Sequence, residues 1–279
     1  MNKLSQKPGP IGIFDSGYGG LTILEHIRKQ LPEYDYIYLG DNARAPYGNR
    51  SFEVVYQFTL QAVEKLFEMG CHLVILACNT ASAKALRTIQ QKDLEQIDPN
   101  RRVLGIIRPT VEAISQKTNT KHIGVLGTSG TIQSKTYDIE ISKLEPDIKT
   151  VGQACPLWVP LIENNEHTNE GAKFFIKKYI DELTQKDPLI DAIILGCTHY
   201  PLMKNEIEKY LPNHIELIPQ GEYVASSLKD YLYRHPEMEN KCTKNGECKY
   251  YTTESTEKFS EAIKLFLNQE VEVKHIILQ

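Results

Sequence analysis

Long apolar runs are what this chain most plainly lacks. No stretch of its 279 residues approaches the roughly 20 consecutive apolar residues that a membrane-spanning helix needs. The N-terminal MNKLSQKPGP holds no apolar core of a secretory signal. A basic field is missing too. With 32 Lys+Arg against 36 Asp+Glu, the formal net charge is −4, which argues against nucleic-acid binding. Cysteine is thinly spread: Cys71, Cys78, Cys155, Cys197, Cys242 and Cys248 include no CxxC pair. That is neither the framework of a small secreted domain nor a structural zinc site, and Cys242 with Cys248 alone makes a poor tetrahedral site. The glycine-rich DSGYGG (15–20) lacks both the G-x-G-x-x-G spacing and a Walker lysine. The expectation is a cytoplasmic protein with reduced thiols, with no metal, no nucleotide or pyridoxal cofactor, and no membrane partner.

What is present is alternation. Short, nearly continuous apolar runs recur at 11–14, 36–39, 73–76, 103–107, 123–126, 192–195 and 215–218. Such runs are typical of parallel strands covered on both faces. Helical spacing fills the gaps, as in residues 51–70, which end on a C-cap-like glycine. The pattern predicts an α/β fold with mostly parallel sheets. A weak internal repeat divides it: LVILACNT (73–80) resembles AIILGCTH (192–199), and ahead of them IGIFDSG (11–17) resembles IGVLGTS (123–129). Two similar α/β units, each presenting one cysteine, would produce this. In the tail, Asn245-Gly246 reads as a short hairpin, and residues 255–269 as a closing helix.

Cys78 and Cys197 each follow a strand and precede a predicted helix. A thiol at a helix N-terminus can have its pKa lowered toward neutrality, where acid/base work is most efficient. Two like thiols facing across a cleft suit inversion of a stereocentre: one removes a proton and the other returns one to the opposite face. A cysteine hydrolase, with Cys197 as nucleophile and His199 as base, would not need the second cysteine frame. A two-domain amino-acid-binding protein is a further alternative.

FDSGYGGLT, GDNARAPYG, LACNTASA, ACPLWVPLIE and LGCTHYPL resemble, in order, the signature segments of the cofactor-independent glutamate racemases, over nearly the whole chain. The resemblance implies interconversion of L- and D-glutamate, which supplies D-glutamate for peptidoglycan. It also implies two α/β domains related by a pseudo-two-fold axis, with the active site between them, and a homodimer. We expect a first domain at 1–108, completed by 220–279, and a second at 109–219. An aspartate racemase of the same superfamily is the near alternative.

By the same resemblance Cys78 and Cys197 are the proton donor/acceptors, Cys78 serving D-glutamate and Cys197 L-glutamate. Asp15 assists near the first thiol; otherwise it would cap the helix starting near Gly20. His199 is an auxiliary base of the second domain, and Glu163 an acidic group near the second cysteine. Ser16 binds substrate through its hydroxyl. Tyr47 and Gly48 offer backbone donors to the side-chain carboxylate. Asn79, Thr80 and Thr198 suit the α-carboxylate and α-amino group. Cys71, Cys155 and Trp158 read as packing. Arg108 and IPQGEYVA (218–225), in place of the commoner Asp-Ser-Gly form, depart from the family pattern.

Overall fold

The computed structural model describes residues 4–267 and 269–278. Ten strands are present among them: β1 (Ile11–Asp15), β2 (Tyr36–Gly40), β3 (Leu73–Leu76), β4 (Arg102–Gly105), β5 (His122–Gly127), β6 (Lys149–Ala154), β7 (Ala192–Gly196), β8 (Glu216–Ile218), β9 (Cys248–Thr252) and β10 (Val273–His275). They form two wholly parallel sheets, ordered β10-β9-β2-β1-β3-β4 and β6-β5-β7-β8. The core order β2-β1-β3-β4 is repeated as β6-β5-β7-β8. Cys78 follows β3 and Cys197 follows β7, so the two thiols leave topologically equivalent strands.

The apolar runs are continuous because helices cover both faces of each sheet. Ile11 and Ile13 pack with Leu24, Ile27, Val224 and Leu228, which come from the helices Leu21–Gln30 and Gly221–Arg234. Phe14 faces the other way, onto Val63 and Phe67 of the helix Phe52–Glu68. That helix starts where the Ser51 hydroxyl accepts from the Val54 N–H at 3.3 Å, and stops at Gly70, whose φ of +96° suits glycine. In the second sheet Leu126 and Leu195 face Trp158 and Ile176, while Val125 and Ile194 face Ile107 and Tyr137. Cys71 and Trp158 are buried in these cores, as is Cys155, which however also borders the cavity that holds Cys78 and Cys197.

Three expectations need correction. The run at 103–107 is strand only to Gly105; Ile107 already opens the helix Ile107–Glu112, which carries the chain out of the first sheet. Asn245-Gly246 makes no hairpin. The turn is held by the Asp35 carboxylate, which accepts from Asn245 N, Asn245 Nδ2 and Glu247 N, and β9 then joins β2 in parallel. Cys197 does not cap a regular helix: after it comes a 3₁₀ turn, Tyr200–Met203, before the short helix Lys204–Glu208. The closing helix runs Thr256–Leu267; Asn268, also within the expected span, lies outside the described residues.

Candidate active site

Both sheets aim their carboxyl ends at one cavity, where ligands of parallel α/β folds bind. It has a volume of about 110 Å³ and is lined by Cys78 and Cys197 together with Ser16, Tyr47, Gly48, Asn79, Thr80, Glu163, Thr198 and His199. Asp15, also expected here, does not line it. Its buried carboxylate sits behind, accepting from the Gly17 N–H at 2.8 Å and the Thr198 hydroxyl at 3.5 Å. The N-cap position of the neighbouring helix is Gly20 and not Asp15, but the Gly20 N–H also bonds the Asp15 carboxylate and favours its charged form. Burial raises its pKa, against the opposing pull of His199. A larger cavity of about 560 Å³ lies near Arg108 at the crossover between the sheets, but no cysteine or histidine lines it.

Cys78 is the N-cap of the helix Asn79–Lys84. Its sulfur accepts from the Ala81 N–H at 3.5 Å and lies 3.3 Å from the Ser16 hydroxyl. The expected lowering of its pKa is overturned: burial, helped by the Asp15 carboxylate, pushes the thiol up to about 12. Two hydrogen bonds and one short helix do not offset the loss of water around a thiolate.

The second thiol is differently equipped. Cys197 Sγ is 3.9 Å from His199 Nδ1, and His199 Nε2 is 3.0 Å from Glu163 Oε1. Burial disfavours charge on the imidazole, but the bonds to Cys197 and Glu163 more than offset it and raise its pKa to about 10. Glycine at position 19 is a requirement of this packing. A Cβ there would lie 2.4 Å from both His199 Nδ1 and Thr198 Oγ1.

The remaining groups stitch the two halves together. Thr80 meets the hydroxyls of Thr128 at 3.0 Å and Thr131 at 3.3 Å. The Gly48 carbonyl accepts from the Gly130 N–H at 2.6 Å. Tyr47, by contrast, is fixed within the first half, donating its hydroxyl to Asp41, which also receives Arg44 Nε at 2.6 Å.

Comparison with known proteins decides the family. The Asp/Glu/Hydantoin racemase model matches residues 20–225. This chain belongs to that racemase family. Among its relatives, the glutamate racemase of Ruegeria sp. strain TM1040 is 38% identical, the match covering 94% of this chain and 97% of the relative. The crystal structure of a glutamate racemase isoform from Bacillus anthracis superposes with a TM-score of 0.88 at 34% identity, covering 98% of this chain and 99% of that one. A glutamate racemase from Francisella tularensis, solved in complex with D-glutamate, gives 0.85 at 33% identity over 97% of each chain.

Within this racemase fold, sequence reasoning missed Thr128, Thr131, Tyr137 and Gln220. The internal repeat held a signal for Thr128, which stands after IGVLG as Ser16 stands after IGIFD. Gln220 was singled out only as part of a departure from the family pattern.

Proposed function

We propose that this racemase interconverts L- and D-glutamate, with Cys78 and Cys197 as the paired acid and base, each serving one face of the α-carbon. The observation that carries the reading is that two thiols from equivalent strands share one cavity. In one direction a thiolate takes the α-proton, and the opposing thiol gives its own proton to the other face. The reverse reaction exchanges the roles. The carbanion needs its α-carboxylate held by hydrogen bonds in a water-poor site, and the presence of Asn79, Thr80 and Thr198 in the cavity lining supports assigning that role to them. An ammonium group of the substrate brings positive charge beside Cys78 and draws that thiol's pKa back down. Residues 1–108 with 220–279 act as one domain and 109–219 as the other, closing on the substrate.

The test uses dialysed protein with each enantiomer of glutamate, and of aspartate, in deuterated water. Chirality and α-deuterium are followed by polarimetry and NMR. Glutamate should racemise without added cofactor. Cys78→Ser and Cys197→Ser should each lose racemisation by orders of magnitude, because a serine hydroxyl is far too weak an acid for this work. Cys78→Ser should retain slow exchange of L-glutamate only, and Cys197→Ser that of D-glutamate only. Two variants exchanging the same enantiomer would sink the assignment of faces, and faster turnover of aspartate would sink the choice of substrate.

A further inference from the structure

Asn79, beside Cys78, belongs to a closed ring of three hydrogen bonds. Its Nδ2 donates to Gln220 Oε1 at 2.6 Å, Gln220 Nε2 donates to the Tyr137 hydroxyl at 2.8 Å, and that hydroxyl donates to Asn79 Oδ1 at 2.7 Å. None of the three is more than 3% exposed, so water cannot replace a broken member and each loss is felt in full.

The direction of the ring is set from outside it. Thr110, also buried, gives its hydroxyl hydrogen to the Ile106 carbonyl at 3.0 Å. Toward Gln220 its oxygen can therefore only accept, and Gln220 Nε2 lies 2.9 Å away. Nitrogen must face Thr110, so Oε1 must face Asn79, so Asn79 must present Nδ2 to Gln220 and Oδ1 to Tyr137. Burial keeps the Tyr137 phenol protonated and able to donate. With Oδ1 and one Nδ2 hydrogen engaged, the second Nδ2 hydrogen has no partner among the described residues, and Asn79 lines the cavity.

The four participants come from four segments. Asn79 follows β3, and Tyr137 stands on the helix Thr136–Leu144 beside the second sheet. Thr110 lies on the outgoing crossover and Gln220 on the returning one. We propose that Gln220 is a positioning residue that, with Thr110 and Tyr137, fixes which way the Asn79 amide faces, and that the ring makes substrate capture beside Cys78 conditional on the two halves being docked. This deepens the racemase reading and rests on it.

The experiment compares wild type, Gln220→Glu, Tyr137→Phe and the double variant. Neither altered residue lines the cavity, and both changes nearly conserve shape. Steady-state kinetics in both directions should show KM for each enantiomer raised about tenfold in either single variant, the scale of one buried hydrogen bond, with kcat changed less. The double variant should be no worse than either single one, since one break opens the ring. NMR of the Asn79 Nδ2 hydrogen bonded to Gln220, in ligand-free protein, should show slow exchange with water in wild type and fast exchange in Tyr137→Phe. Unchanged KM with only a lowered unfolding midpoint would reduce the ring to packing and overturn the proposal, as would additive losses or an Asn79 amide equally exposed in both proteins. If wild type fails to racemise glutamate, the racemase reading falls, while the amide-exchange arm still decides whether the ring holds Asn79.

Discussion

His199 is held from both sides, by the Cys197 thiol at 3.9 Å and the Glu163 carboxylate at 3.0 Å, and its pKa rises from 6.5 to about 10. A histidine charged more readily folded than unfolded stabilises the fold fully below its unfolded pKa, and that contribution fades as pH climbs through the folded value. The stability difference between wild type and His199→Asn should therefore be largest below pH 6.5 and shrink between 6.5 and 10. Urea unfolding at a series of pH values reads it; a difference growing with pH would show that the imidazole is neutral in the fold. The types and spacing of such groups were legible in ACNT and GCTH. The raised pKa of Cys78 was not, because it comes from burial and from the Asp15 carboxylate, contributed by another strand. The partner of Asn79 was equally hidden: Gln220 is 141 residues away.

Seven of the ten strands were readable as apolar runs, and the three that escaped share a reason. β6 (KTVGQA), β9 (CKYYT) and β10 (VKH) are each interrupted by polar residues and none is covered along its whole length; an edge position alone does not hide a strand, since β4 and β8 are edges too and were legible. Strands with less cover keep more polar residues, so the apolar signal weakens. The place of β9 depends on Asp35, which gathers three N–H donors from Asn245 and Glu247 at 2.7–3.0 Å. Asp35→Ala leaves those donors to find water on a partly buried edge. It should cost about 1–3 kcal/mol and should loosen β9 first. Denaturant unfolding measures the loss, and hydrogen exchange at Tyr250 and Tyr251 locates it. A cost below about 0.5 kcal/mol, within the range of an ordinary surface change, would show that β9 docks without this anchor.

Across the molecule, the repeated order β2-β1-β3-β4 and β6-β5-β7-β8 places the thiols at equivalent strand ends, as the internal repeat of LVILACNT and AIILGCTH led us to expect. Equivalence is not reflection. A chain of L-residues cannot build two half-sites that are mirror images, and these two have different neighbours: Ser16 at 3.3 Å from Cys78, but a His199–Glu163 relay behind Cys197. Free L- and D-glutamate, by contrast, have identical energies in water. Thermodynamics therefore compels kcat/KM for the two enantiomers to be equal, however lopsided the protein is. The asymmetry can surface only as a trade, with one enantiomer bound more tightly and turned over more slowly by the same factor. Full progress curves from each side should give unequal kcat and unequal KM with matching quotients. Identical constants in both directions would mean that two differently furnished thiols present the same barrier and the same affinity to opposite hands of the substrate.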